Sequence, residues 1–546
     1  MAKLILGPML RFLDANAATV WVETDAPCEV EVLGHRARTF HVAGHHYGLV
    51  AVTGLEPDSS TEYQVLLDGE RRWPEPGSQF PASRIQTLPE TGRIEIVWGS
   101  CRVTAPQDAP YAFDEEQDAR GVGVDALYAL ALRLLEQDPA RWPRLLLLIG
   151  DQVYADQVSP QALEFIRRRR DTDQEPGEEV IDFAEYTMLY REGWSEPALR
   201  WLFSSVSSAM IFDDHDVHDD WNTSESWVQD MRAHDWWPER INAALSTYWI
   251  YQHIGNLTPA ELAADELYAR VLAAEDADQI LRDFALTAEQ EGGGSLWSFS
   301  RRLAGTRLVV VDGREGRVLE GGRREMMDES EWGWVEDQLT GDYDHVLLVS
   351  TLPILLAPTL HYLEAWNEAV CSGAWGRLAA KWAEKLRRAL DLEHWAAFQS
   401  SFTRLIDLVT QVACGDRGRA PATIVMLGGD VHQAYLETVG FNRALPVRSA
   451  VYQAVCSPFR HQLAKRQRRI LAVARRSRLL GWLARRLAHG AGVEDPTVRW
   501  QAVQPPTWRN QLGWLVLDGR RLELTIETTR PGPEPALEVS LRHQLA

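Results

Sequence analysis

LLLLIGDQVYAD, residues 145–156, passes from an unbroken apolar run to polar chemistry within a single residue. A short continuous apolar run reads as a strand buried on both faces, the kind found in a parallel or mixed sheet with helices on each side. Gly150 lets the backbone turn sharply as the strand ends. Asp151 is thereby delivered to the carboxyl end of a central strand, where open α/β sheets place their ligand crevices. A carboxylate forced there needs a partner, and a cation is the simplest one. On this stretch alone, a helix-capping Asp after an ordinary core strand fits equally well.

The same pattern recurs on both sides. Upstream, RIEIVWGSCR (residues 93–102) is a strand ending in Gly, Ser and a Cys, and the helical spacing of VDALYALALRLLEQ leads from it into the central strand. Strand, helix, strand is a parallel βαβ unit. Downstream, residues 161–202 read as helical, with four consecutive Arg at 167–170. These are taken as a solvated face, with a phosphate-gathering rim as the minor reading. AMIFDDHDVHDDWN (209–222) then ends a strand in a dense polar cluster. Five Asp and two His fall within 213–220. Such a cluster repels itself unless cations hold it, and a merely solvated acidic loop has no need of the histidines or of Trp221. TIVMLGGDVH (423–432) ends another strand in Asp-x-His, and side chains at i and i+2 in extended chain point the same way.

Residues 1–90 look all-β, with short alternating strands separated by turns, as in a β-sandwich. The segment around Tyr63 resembles the loop into a late strand of fibronectin type III domains, where a Tyr corner is common. His45 and His46 are read as surface histidines. Residues 89–92 are a short linker, and 91–546 form the second domain. Within it, 223–290 and 355–412 are helical insertions, the first Trp-rich and expected to cover the site. Gly292-Gly293-Gly294 breaks the first of them. Strands at 307–314 and 345–353 follow, and others near 447–455, 513–517 and 522–527 close the sheet.

Composition bounds the function. The chain has 546 residues, 45% hydrophobic and 25% charged, with ample material for a core. Net charge is −22, which argues against long nucleic acid as a partner. Five scattered Cys carry no CxxC spacing, so a disulfide framework is not expected. The opening MAKLILGPML lacks a signal-peptide plan and no run reaches the ~18 apolar residues of a membrane span, which points to a cytoplasmic protein. One stretch runs against the acidic balance: KRQRRILAVARRSRLLGWLARRL, residues 465–487. Ile470, Val473, Leu480, Leu483 and Leu487 make an imperfect apolar stripe. A basic amphipathic helix either lies weakly on a membrane surface or packs on the acidic body of the protein.

Four strand ends thus offer Cys101, Asp151 with Tyr154, the 213–222 cluster, and Asp430 with His432. Meeting on one rim, they suffice for two cations sharing Asp151, a pair that clamps a phosphoryl group and activates water. Cys101, Tyr154 and His432 suit a transition metal such as iron. The all-oxygen set Asp151, Asp214, Asp220 or Asn222, and Asp430 suits calcium, magnesium or manganese. No GxSxG, GxxxxGK[ST] or HExxH is present.

In these motifs the chain resembles the alkaline phosphatase D (PhoD-like) metallophosphatases. The resemblance rests on G-S-C-R at 99–102, G-D-x-x-Y-x-D at 150–156, D-D-H-D-V-x-D-D-W at 213–221 and G-D-V-H at 429–432. Weaker echoes lie at 312–315, 350–353 and 455–458. It implies an α/β fold, a four-layer αββα sandwich behind a fibronectin-like β-sandwich. It also implies an iron–calcium site hydrolysing small phosphate mono- and diesters. By position, Cys101, Tyr154 and His432 would bind iron, Asp151 would bridge, and Asp214, Asp220 and Asp430 would serve the second ion. His215 becomes the candidate general acid, and Arg102 and Arg314 the candidates for gripping phosphate oxygens. Two departures stand out. Asp219-Asp220 replaces Asn-Asn or Asn-Asp, and Ser350-Thr351 stands where many metallophosphatases carry a His ligand, favouring an oxygen-only second site. Two other classes compete: a catalytically silent metal-binding protein, and a peripheral membrane protein using residues 465–487.

Overall fold

The computed structural model describes residues 1–291, 296–442, 445–530 and 534–546; the Gly292-Gly293-Gly294 break lies outside them. Leu145–Ile149 is a strand buried along its whole length. Its side chains alternate between two cores. Leu145, Leu147 and Ile149 meet Leu308, Val310, Leu347, Val349, Val425 and Leu427 from a second sheet. Leu146 and Leu148 meet helical residues such as Leu127, Leu130 and Leu199 on the other side. Both faces are covered, so every position is apolar and no alternation survives in the sequence.

The strand belongs to a six-stranded sheet in the order Ser207–Ile211, Leu145–Ile149, Arg93–Gly99, Gln511–Asp518, Arg521–Thr529, Leu537–Gln544. The first three run parallel, and Gln511–Asp518 pairs antiparallel to Arg93–Gly99. The second sheet has seven strands, of which Thr306–Val311, His345–Ser350, Thr423–Gly428 and Ala450–Cys456 are mutually parallel. Its outer face, with Val309, Val311, Leu348 and Met426, packs on Val335, Phe402, Leu405 and Val409 from helices Glu329–Gln338 and Gln399–Cys414. Helices, sheet, sheet and helices make the four layers. Asp125 caps helix Ala126–Leu135 by accepting from Leu127 and Tyr128, which starts the crossover into the central strand.

The N-terminal region is all-β, with two four-stranded sheets and a short two-stranded one. It does not stand apart. Arg11 is fully buried and donates to the carbonyls of Tyr251 (2.6 Å) and Gln252 (2.7 Å). Tyr63 donates to the Ser204 carbonyl at 2.6 Å, so it ties this region to its neighbour and does not form a local corner. His45 bonds Glu23 at 2.9 Å and His46 stacks on His41, as surface histidines do.

Two expectations are corrected. Residues 223–290 do not cover the site: Trp227, Trp237 and Trp249 are buried in one core with Met9, Trp21, Phe40 and Tyr47. The tryptophans fill the joint between the all-β region and the helical layer. Residues 465–487 form two helices, Lys465–Arg476 and Arg478–Gly490, because the Ser477 hydroxyl caps the second by accepting from Leu480. The Arg167 to Arg170 run is largely a solvated face, and each Arg pairs with a carboxylate of the protein, Glu178, Glu164, Asp182 and Glu185 in turn.

Two histidines set an acid limit. His253 and His361 are buried against aromatic rings, and burial pushes each imidazole down to about 4. A base depressed in the folded state contributes stability above its unfolded value, lost as pH falls towards the folded one. Between roughly pH 6.5 and 4 each therefore removes stability, about 2 kcal/mol by pH 5. In urea unfolding at pH 7.5 and pH 5, His253→Asn should shrink the acid loss by that amount. An unchanged loss would show that the imidazole stays neutral in neither state or in both.

Candidate metal centre

The carboxyl ends of the parallel strands in both sheets meet at one edge. Glycine permits the closeness: a Cβ on Gly150, at φ +109°, would lie 2.7 Å from the Asp213 Cβ, and one on Gly429 would lie 2.5 Å from the Ser100 hydroxyl. Backbone bonds lock the ends together. Cys101 and Arg102 donate to the carbonyls of Gly150 and Asp151 at 3.2 and 3.1 Å, and the Asp430 amide donates to the Ser100 hydroxyl at 3.0 Å. Among the described residues, seven of the twelve non-glycines with left-handed backbone are here: Cys101, Asp151, Asp220, Asn222, Asp391, Asp430 and His432. Each costs of order 1 kcal/mol, and such strain concentrates where side chains must be aimed for function.

Asp151 is 1% exposed. Its Oδ2 accepts from the Tyr154 hydroxyl at 3.3 Å and its Oδ1 has no partner. Ligand atoms of Asp151, Asp214 and His215 lie within 4.8 Å of one another, as do those of Asp213, Asp214 and Asp430. Burial pushes the Asp151 carboxyl well above its usual range, and the charges of Asp214 and Asp213 add to the rise. Asp213 and Asp214 are raised for the same first reason, although Arg314 opposes it. Asp220 is pushed up to about 9 by burial and by Glu393 and Asp391. The Cys101 thiol and Tyr154 phenol rise by burial and the charge of Asp151. This much buried, undercompensated acid is a place for cations. The donor set of thiol, phenol, imidazole and carboxylates is one that suits cations.

His432 is half-buried with its ring 4.1 Å from that of His461, and desolvation together with the charges of His461 and His215 pushes it well below its ordinary value, leaving a neutral imidazole suited to ligation. His215 differs. Its Nδ1 bonds both Asp156 oxygens at 2.9 and 3.0 Å, and its ring stacks on Tyr154 at 4.7 Å. Burial alone would lower it, but Asp214, Asp156 and Asp151 outweigh burial and hold it well above its usual value.

The structure corrects the two arginines. Arg102 is buried on Asp125 (2.7 Å) and the Gly193 carbonyl (2.8 Å). Arg314 is fully buried on Asp213, Asp214 and Glu393. Both guanidiniums are committed to protein carboxylates, so neither is free to grip a phosphate. Asp216, inside the acidic cluster, accepts backbone N–H groups from Gln152, Val153 and Asp213 and serves the fold. Asn222 donates to the Arg314 carbonyl at 3.1 Å.

Sequence reasoning missed His394. Partly buried, it bonds Glu364 through Nδ1 at 2.8 Å, while Nε2 is unbonded and 3.6 Å from Asp430 Oδ2. A carboxylate-oriented imidazole aimed at a ligand carboxylate has the plan of a metal ligand with its outer support. His461, stacked between Tyr154 and His432 and pushed down to about 4 by burial, was also missed. Beside Asp430, His432 and His394 opens a cavity of about 250 Å³, walled by Leu356, Leu360, Leu392, Leu463 and Leu471. Residues 355–412 thus reach the site, whereas 223–290 do not line this cavity.

Comparison with known proteins bears on this arrangement. Residues 128–286 match the PhoD-like phosphatase family model, and residues 1–85 match that of a domain of unknown function, DUF7800. The phosphatase match contains the 150–156 and 213–221 motifs, so the resemblance drawn from them holds there. No curated protein matches the chain. The structure of PhoD is similar with a TM-score of 0.60 at 12% identity, over 100% of this chain and 90% of that one. The purple acid phosphatase PPD1 from seeds of yellow lupin (Lupinus luteus) is similar with a TM-score of 0.50 at 9% identity, over 95% and 71%. At such identities the likeness establishes the metallophosphatase fold.

Proposed function

We propose that the chain is a metal-dependent phosphatase that hydrolyses small phosphate mono- or diesters at a two-cation centre built around Asp151. The observation that carries this is the buried, partnerless Asp151 oxygen set among Asp214, His215 and Tyr154. The family match over 128–286 supports the phosphatase reading. Cys101, Tyr154 and His432 are assigned to iron, and Asp214, Asp220 and Asp430 with His394 to calcium, magnesium or manganese. Cations so held supply an activated water and neutralise charge developing on the phosphate.

The chain's own residues do the rest. Asp156 fixes the His215 ring and its tautomer, leaving Nε2 to face the reacting group and give a proton to the departing oxygen. Arg314 holds Asp213 and Asp214 in place from behind. The leucines beside Asp430 keep water from one flank of the ester.

Elemental analysis of the purified protein, paired with turnover of one monoester and one diester, tests the reading. Iron plus a hard cation, with hydrolysis, is the expected result. A phenolate on ferric iron absorbs visible light, so Tyr154→Phe should bleach the protein's colour while the protein stays folded. Metal without turnover of either ester would instead favour the silent metal-binding protein.

A further inference from the structure

The helices Lys465–Arg476 and Arg478–Gly490 are put together the wrong way round for an ordinary surface helix. The second presents its small residues to the body of the protein: Ala484 and Ala488 are buried, and a Cβ on Gly481 would lie 3.3 Å from the Thr359 hydroxyl. Its large apolar residues face solvent. Leu479 is 66% exposed and Trp482 51%, with Leu480, Leu483 and Leu487 beside them. Ile470 and Val473 do the same on the first helix. Helix Arg377–Ala389 repeats the inversion, with Ala383 buried and Leu378 and Trp382 exposed at 80% and 74%. The surfaces join: the exposed Trp375, just before that helix, donates to the Gly490 carbonyl at the end of the basic pair. Among the described residues, ten of the eighteen exposed large hydrophobics lie here. All three exposed tryptophans do too, a concentration that solitary surface residues do not explain.

The charge is equally one-sided. Residues 465–490 contain nine Lys and Arg and no Asp or Glu, in a chain of net charge −22. Lys465, Arg475 and Arg485 pair with Glu116, Glu437 and Asp495. Among the described residues no carboxylate is within ion-pair reach of Arg466, Arg469, Arg476, Arg478 or Arg486, and Arg486 lies over the Trp482 ring. Packing on the protein's own acidic body therefore accounts for a third of the cations and for none of the apolar face. No helix among the described residues is long and apolar enough to cross a membrane.

We propose that this face docks on an anionic lipid surface, with Trp382, Leu479, Trp482 and Ile470 entering the headgroup region and the unpaired arginines meeting lipid phosphates. Leucine and tryptophan interleaved with arginine is the composition of a helix lying in a bilayer interface. A fluid surface also needs no groove of complementary shape on the exposed apolar face. The docking is independent of the hydrolysis proposed above. It does place the site near the surface, because Leu471 and Arg475 of the first helix line the cavity beside Asp430 and His432.

The full-length, metal-loaded protein is sedimented with phosphatidylglycerol–phosphatidylcholine vesicles and with pure phosphatidylcholine vesicles. The expected result is strong binding to the first, weakened by salt, and little to the second. A Trp382→Ser, Leu479→Ser, Trp482→Ser variant should lose binding. An Arg469→Gln, Arg478→Gln, Arg486→Gln variant should bind on the order of a hundredfold more weakly, about fivefold per charge. Neither should change ester turnover in solution. Absence of binding to anionic vesicles overturns the proposal, as does binding equal in wild type and both variants. So does a wild-type dimer that the serine variant converts to monomer without vesicle binding, since a second copy would then be the occupant.

Discussion

Asp151→Asn is expected to lower kcat/KM on phosphate esters by at least about 10³-fold, the equivalent of roughly 4 kcal/mol of lost transition-state stabilisation. The substitution keeps the shape of the side chain and removes its charge. What makes the effect large is position. The residue ends the fully buried Leu145–Ile149 strand, its backbone is left-handed at φ +50°, and the surrounding strand ends leave it no other direction to face. Its stability signature runs opposite to its activity. In the chelated protein the carboxyl is raised above its unfolded value, so its contribution is present below the unfolded value and lost as pH rises through the folded one. At neutral pH an amide relieves that penalty. The chelated variant should therefore melt no lower than chelated wild type, while added metal should stabilise wild type far more than the variant. Turnover, elemental analysis and melting with and without chelator give all three readings. A variant with full metal content and activity within tenfold of wild type would remove Asp151 from the centre.

How much of this is legible in sequence depends on the physical signal. The central strand is, because burial on both faces leaves an unbroken apolar run and the following Gly-Asp marks the turn towards the site. The Asp-x-His at Asp430 and His432 is legible for the same reason, each strand end announcing its own polar residues. The partners of those residues are not. Arg102 and Arg314 sit beside reactive motifs and look free, but Asp125 and Glu393, which hold them, are a helix cap and a loop residue with no pattern linking them. Asp216 is one carboxylate among five in sequence and becomes distinct only when three backbone amides converge on it. His394 follows a helical stretch, not a strand, so nothing flags it; its orientation depends on Glu364, thirty residues earlier on helix Pro358–Cys371, with another helix between them. The tryptophans of 223–290 advertise burial without saying against what, and a lid and a domain joint have the same composition.

His215→Gln is expected to lower kcat by about 10² to 10⁴ on an alkyl phosphate and by no more than about tenfold on a nitrophenyl phosphate, with KM nearly unchanged on both. An alkoxide leaves only as it is protonated, whereas a nitrophenolate departs without help, so the loss tracks the need for an acid. The geometry supports the assignment: Nδ1 is occupied by Asp156, which leaves Nε2 as the working atom, and the ring is stacked on Tyr154 at an inclination of 30°. Asp156→Asn keeps the imidazole but loosens its orientation and removes one of the charges that favour its protonation, so its loss should show the same leaving-group dependence at about 10–100-fold. The paired substrates separate roles that a single activity assay confuses. A residue that only held a metal would depress both reactions alike and lower metal content with them. Equal losses on the alkyl and nitrophenyl esters, at full metal occupancy, would mean that His215 stabilises charge on the phosphate and that the proton for the leaving oxygen comes from elsewhere.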